Sequence, residues 1–246
     1  MRVTASFPAA YEIQAAPPSQ DAIDGSKVSA SRKVVFPGGT RVVPFGSQPG
    51  AVVPNAPYLD GGQWWIDKHP EDERYYVADV SIDLADRGTT AASVEIIVGG
   101  VTKLEDAVIQ GTLIPVKLGG LAAGAVALNF CTFRVTCANG ERFDRTIWFR
   151  AQQGVWTLPK DPDDQSYYVF DVGNDLADSN TTAAAATAFP VGVSQLVAAQ
   201  AQGRLVVVKL GGLSTSADPT NYCKLRIDCA NGERFYRTIH FTRVDN

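Results

Sequence analysis

The sequence predicts an all-β protein: two tandem immunoglobulin-like β-sandwiches preceded by an extended N-terminal arm. Three observations predict it. The residues after about position 61 are written twice at a constant shift of 92 positions, which marks a repeated structural unit. In both copies apolar and polar residues alternate with period two on either side of an Asn-Gly pair, the pattern of a half-buried hairpin. Strand-like runs are separated by breakers at spacings of about 8 to 12 residues, the rhythm of a sandwich or barrel.

The shift holds without a gap. Tyr75-Tyr76-Val77 returns as Tyr167-Tyr168-Val169, and Asp83-Leu84-Ala85-Asp86 as Asp175-Leu176-Ala177-Asp178. Val116-Lys117-Leu118-Gly119-Gly120-Leu121 returns as Val208-Lys209-Leu210-Gly211-Gly212-Leu213, and Cys137 to Phe143 as Cys229 to Phe235. Copy one is assigned to 62–153 and copy two to 154–246. Residues 1–61 have no counterpart and are rich in Pro, Gly, Ala and Ser, so they carry too little apolar surface to offset their ordering entropy alone. They are expected to form an arm that becomes ordered on a partner by adding a strand to a sheet edge. Val34, Phe36, Arg41 and Phe45 are its contact candidates.

Within each copy the elements follow in order. Tyr75–Ile82 and Leu113–Leu118 read as strands, and the Asp-Leu-Ala-Asp segments as single turns between strands. Val193–Gln202 has a weak helical alternative. Cys131, Phe133, Val135 and Cys137 alternate with Thr132, Arg134 and Thr136, and the second copy repeats this from Cys223 to Cys229. Asn139-Gly140 and Asn231-Gly232 are then expected to turn a tight hairpin with both central residues at positive φ. Alternation resumes through Phe143, Ile147 and Phe149, or Phe235, Ile239 and Phe241.

Composition narrows the function. A formal net charge of −4 does not supply the basic surface that phosphate binding demands, so nucleic acid is not expected as the main partner. No stretch approaches the ~20 apolar residues of a membrane helix. No signal-peptide core is expected either, because prolines and Glu12 interrupt the first apolar runs. The cysteines form two pairs, each six residues apart along a strand. That separation is roughly 20 Å against the ~5.5 Å of a disulfide, so buried free thiols are expected.

Reactive groups are sparse. His69 and His240 correspond to Asp161 and Trp148 in the other copy, so neither belongs to a repeated constellation. The cysteine spacing does not suit zinc, which favours pairs two to four residues apart on a turn. The Asp83–Thr90 and Asp175–Thr182 segments offer oxygen ligands of the kind calcium takes, but they are read as a capped turn leading into the next strand, where Asp and Thr side chains satisfy free backbone amides. Gly119-Gly120 and Gly211-Gly212 lack the Lys-Ser/Thr and the helix of a phosphate loop. The chain is therefore expected to be a non-enzyme with no catalytic, metal or cofactor site. Arg134, Arg142 and Arg145, with Arg226, Arg234 and Arg237, form a basic cluster near the hairpin, read as solvated strand faces or as a contact patch for an acidic surface. Trp148 falls opposite Phe143 and Ile147 and is expected to be exposed and adhesive, whereas Trp64 and Trp65 are expected to pack.

Three features occur in the same order in both copies: Lys68-His69-Pro70-Glu71-Asp72 or Lys160-Asp161-Pro162-Asp163-Asp164, then a Leu-Ala turn, then a strand ending in Gly-Gly. A Gly-Glu-Arg-Phe-x-Arg-Thr hairpin closes each copy. In this order and spacing the repeats resemble the immunoglobulin-like module of tailed-bacteriophage fibre-tail adaptors, here doubled. The family's common Trp before the Gly-Gly strand end is replaced by Lys117 and Lys209. The resemblance implies a virion structural protein, assembled in the host cytoplasm, that attaches fibres to the tail or neck through protein contacts, in multiple copies around a symmetric ring. A capsid decoration or cement protein is the alternative. A carbohydrate-binding adhesive module using Trp148 is the alternative of another class.

Overall fold

The computed structural model describes residues 33–35, 57–123, 128–151, 156–214 and 221–244. Over these residues the chain is nearly all strand. It divides into two compact units, the first running to Gln152 and the second from Gln153. The first contains β1 (Lys33–Val35), β2 (Tyr58–Asp60), β3 (Gln63–Lys68), β4 (Arg74–Asp79), α1 (Ser81–Asp86), β5 (Ala91–Gly99), β6 (Thr102–Lys103), β7 (Leu113–Gly119), β8 (Phe130–Cys137) and β9 (Arg142–Ala151). The second contains β10 (Trp156–Lys160), β11 (Gln165–Asp171), α2 (Gly173–Ser179), β12 (Ala183–Val191), β13 (Ser194–Gln202), β14 (Leu205–Gly211), β15 (Tyr222–Cys229) and β16 (Arg234–Arg243).

Each unit is a two-sheet β-sandwich. In the first, the order β2-β3-β9-β8-β5 packs against β1-β4-β7-β6; in the second, β10-β16-β15-β12 packs against β11-β14-β13. Registers recur at the sequence shift: Tyr75↔Lys117 becomes Tyr167↔Lys209, Phe130↔Trp148 becomes Tyr222↔His240, and Trp64↔Ile147 becomes Trp156↔Ile239. Even the irregularity between Ala91 and Ser93 has its equivalent between Ala183 and Ala185. The cores lie between the sheets. Tyr76, Ile114, Val116 and Leu118 meet Ile66, Phe133, Val135 and Ile147 in the first, and Val206, Val208 and Leu210 meet Leu225, Ile227 and Phe235 in the second. Each such side chain taken fully out of water contributes roughly 1.5–3 kcal/mol.

The hairpins form where the alternation places them, but with a different turn. Gly140 and Gly232 take positive φ, and Asn139 and Asn231 do not. The Gly140 amide donates to the Cys137 carbonyl, and the Cys137 amide to the Glu141 carbonyl. Ala138 and Asn139 are thus the turn residues and Gly140 the left-handed residue of a bulge. Asn139 Oδ1 accepts from the Glu141 amide at 3.1 Å, an Asx turn that makes positive φ at Asn139 unnecessary. Val193–Gln202 resolves as strand: its alanines and glutamines favour helix weakly, and pairing of β13 along β14 overrides that preference.

The short helices carry the chain from one sheet to the other. Each ends in a left-handed residue, Gly88 in one and Asn180 in the other. Beyond it, the Thr89 amide donates to Leu84 O and the Thr181 amide to Leu176 O, the closing bond of a Schellman motif. All four cysteines are free and buried on β8 and β15. Burial pushes the Cys131 thiol well up and Cys223 up to about 11, which makes both inert.

The Lys-x-Pro-x-Asp element has a structural role that its polarity conceals. Lys68 and Lys160 are each 1% exposed. Lys68 Nζ donates to the carbonyls of His69 and Asp72 at 3.1 and 2.5 Å, and Lys160 Nζ to those of Asp161 and Asp164 at 3.1 and 2.6 Å. Each ammonium thereby closes a loop between two strands, β3 and β4 in the first unit and β10 and β11 in the second. Burial pulls Lys68 down from 10.5 to about 8, against the attraction of Asp72. Between those values the unfolded chain holds the extra proton, so the folded state gains as pH rises through that window and the penalty is full below it. The difference in unfolding free energy between wild type and Lys68→Met is expected to rise by about 3 kcal/mol from pH 8 to 10.5, measured by urea denaturation; a flat difference refutes a charged, buried Lys68.

Candidate functional site

Cross-strand register builds a row of rings on the outer face of the first unit's five-stranded sheet. Tyr58 pairs with Trp65, Trp65 with Trp148, Trp148 with Phe130, and Phe130 with Gly99. Paired residues share a sheet face, so the side chains line up across five strands. The Trp65 and Trp148 centroids are 5.7 Å apart and those of Trp148 and Phe130 5.4 Å, both pairs tilted. Gly99 completes the row by being small: a Cβ there would come within 2.4 Å of Phe130 Cε1. These rings are half-buried by one another.

Arg150 caps the row. Its guanidinium lies 4.1 Å from the Trp65 ring centroid, donates to Tyr58 Oη at 3.3 Å, and pairs with Asp60 at 2.6 Å. Tyr58 Oη in turn donates to Asp67 at 3.1 Å. Burial, reinforced by the Asp67 carboxylate, raises the Tyr58 hydroxyl above its usual range. The Trp65 indole N–H is buried and has no hydrogen-bond acceptor among the described residues. The equivalent row of the second unit is Thr157, His240, Tyr222 and Val191, where only the Tyr222 and His240 rings meet, at 5.7 Å.

The arginine cluster is largely engaged within the chain. Arg145 on β9 grips Asp83 of α1 with both Nε, at 2.8 Å, and Nη2, while Arg87 Nη1 donates to the same carboxylate at 3.2 Å. Asp83 has no exposed surface. Arg237 on β16 grips Asp175 of α2 in the same bidentate way, and both arginines lie over a neighbouring phenylalanine, Phe143 or Phe235. Arg134 pairs with Asp144 and Glu95, and Arg226 and Arg234 share Asp228. Arg142 is exposed at the start of β9.

The contact candidates therefore divide. Trp148, expected on an open face, sits inside the ring row, and Trp65 joins it there, whereas Trp64 packs against the core. Arg145 and Arg237 brace helices, leaving Arg142 and Arg234 nearer the surface. Val34 lies in β1, paired with β4; Phe36, Arg41 and Phe45 lie outside the described residues. Nothing local in the sequence signals Tyr58, Phe130 or Arg150, because the row arises from a parallel pairing of strands more than eighty positions apart. Among the described residues no group of three or more His, Cys, Asp or Glu could hold a metal ion, and no helix is long and apolar enough to cross a membrane.

No family model matches the chain, and no curated protein does. Solved structures similar to it include an endo-fucoidan hydrolase of glycoside hydrolase family 107, at 10% identity and a TM-score of 0.27, covering 77% of this chain and 29% of that one. Cadmium-bound SporoSAG follows at 10% identity and TM-score 0.22, covering 72% and 93%. A Bacteroides ovatus glucan-utilization protein, SGBP-B, in complex with a mixed-linkage heptasaccharide, stands at 10% identity and TM-score 0.18, covering 69% and 42%. The chain spans under a third of the hydrolase, and likenesses this weak carry no argument about activity.

Asp83→Asn keeps the shape of the side chain while leaving Arg145 without its counter-charge. Arg87 keeps its pair with Glu141 at 3.3 Å, so the loss falls on Arg145, and the variant is expected to cost the first unit about 3 kcal/mol of unfolding free energy. Asp106→Asn, which removes only the exposed pair with Lys103, is expected to change stability by less than about 0.5 kcal/mol. Denaturant melts of both variants measure the contrast.

Proposed function

We propose that the chain is a non-enzymatic structural protein of a tailed-phage virion, an adaptor that joins fibres to the tail or neck through protein contacts. The ring row of Tyr58, Trp65, Trp148 and Phe130 carries this reading. It is a preformed aromatic surface with a guanidinium at one end, the composition that concentrates binding energy at protein interfaces. The motif order supports it as well: the Lys-x-Pro-x-Asp loop, the Asp-Leu-Ala turn and the Arg-Thr hairpin act as braces, which leaves outer faces free for partners. The finer fold assignment, a tandem pair of immunoglobulin-like domains, is supported by strand orders β10-β16-β15-β12 and β11-β14-β13. They match an immunoglobulin sandwich whose first strand has joined the sheet of the last.

Electron microscopy of the assembled particle tests the assignment. Density for this chain at the tail or neck, at a copy number well below that of the shell protein, is the expected outcome; density spread over the shell lattice moves it to the decoration class. A carbohydrate-binding module is the second reading, favoured by the same row, since sugar rings stack on tilted indoles. Trp148→Ala is expected to weaken binding to the true partner by about 2–4 kcal/mol with the fold intact by circular dichroism. Glycan-array binding that disappears in this variant would transfer the row to the adhesive class.

A further inference from the structure

The two sandwiches differ at one edge. In the first, β1 runs parallel to β4 with Lys33↔Val77, Val34↔Ala78 and Val35↔Asp79, and every residue of β4 is buried. In the second, β11 occupies the same place in its sheet, and among the described residues nothing pairs with its outer edge. Tyr167 and Val169 are 62% and 57% exposed where Tyr75 and Val77 are 5% and 0%. Across the seam, Leu158 on β10 is 38% exposed where Ile66 is 1%. Beside this edge lies a groove of about 260 Å³ lined by Leu158, Val169, Phe170 and Ile239, with Asp171 and Arg237 on its polar side.

A long apolar edge with unpaired amides and carbonyls is a template for another strand. The first unit shows what fills it: an extended segment running parallel to the edge. Among the described residues β1 is the one such donor, and β4 already holds it. With β1 held by β4, the occupant inferred for β11 is a segment of another polypeptide.

The edge also specifies that polypeptide. Ala78 is replaced by the much larger Phe170, which stacks parallel to Tyr168. The residue registered opposite Phe170 must therefore be smaller than Val34. At the entry to β11, Asp163 and Asp164 are exposed, a negative end that favours basic residues ahead of the incoming strand. We infer that the β11 edge captures an extended segment of a partner protein, parallel to β11, apolar, with a small residue opposite Phe170 and a basic N-terminal flank. The inference rests on strand pairing alone and holds whether or not the chain belongs to a virion.

The test uses the full chain and two peptides spanning residues 30–38, native and with Val34→Ala. Hydrogen–deuterium exchange is expected to show the Val34→Ala peptide protecting Gln165–Asp171, with about tenfold tighter binding than the native peptide, the cost of one overpacked methyl pair. In Phe170→Ala the preference reverses. Val169→Glu, at an exposed position that the fold does not use, is expected to weaken binding of either peptide about tenfold or more, and it decides the matter should Phe170→Ala fail to fold. Absence of protection by either peptide, protection at Arg74–Asp79 instead, or binding unchanged in Val169→Glu overturns the inference.

Discussion

A carboxylate sits at the point where each unit changes sheets, and in the first unit it has no exposed surface. Asp83 lies in the helical turn that leads from β4 in one sheet to β5 in the other, and Arg145 reaches it from β9. A buried charge is tolerated only when its partner's geometry is good and its remaining lone pairs are satisfied. The bidentate fork of Arg145, with Arg87 behind it, meets both demands. The crossover is thereby fixed to the last strand of the opposite sheet, and the spacing of the sheets follows. In the second unit Asp175 and Arg237 keep the fork, while Arg87 gives way to Ser179.

Much of this architecture can be read from the chain alone, for physical reasons. The hairpin of β8 and β9 is legible because period-two burial leaves a period-two sequence: Cys131, Phe133, Val135 and Cys137 are buried, with polar residues between them. The turn type is less legible. Asn-Gly fits more than one loop, and the Asx bond of Asn139 selects between them. Lys68 reads as a loop lysine because ammonium groups are rarely buried. Its signal was the recurrence of Lys-x-Pro-x-Asp in both copies, where a solvated lysine would be free to drift. The ring row could not be seen in advance, since no local pattern encodes which residue of β3 lies beside which residue of β9.

Differences between the copies are as informative as the repeats. β6 covers only Thr102 and Lys103, whereas its counterpart β13 extends along β14. The first unit fills the difference with a loop that follows the outer face of β7, from which Glu105 accepts from Tyr75 Oη at 2.5 Å and from Lys117 Nζ at 3.0 Å. Lys117 in turn lies 5.6 Å from the Tyr75 ring centroid. The second unit keeps the cation over the ring, Lys209 on Tyr167, but has Val197 where the glutamate would be. Two nearly identical strand frameworks therefore present one sealed face and one open one.

The parallel neighbours β10 and β16 open and close the second unit. The chain enters at the start of β10 and leaves at the end of β16, so tension applied to the two ends slides these strands lengthwise past each other. Their hydrogen bonds then resist together, as a shear joint, where a hairpin pulled from its open end would give way one rung at a time. The rate at which this joint parts then governs how long the unit holds under load.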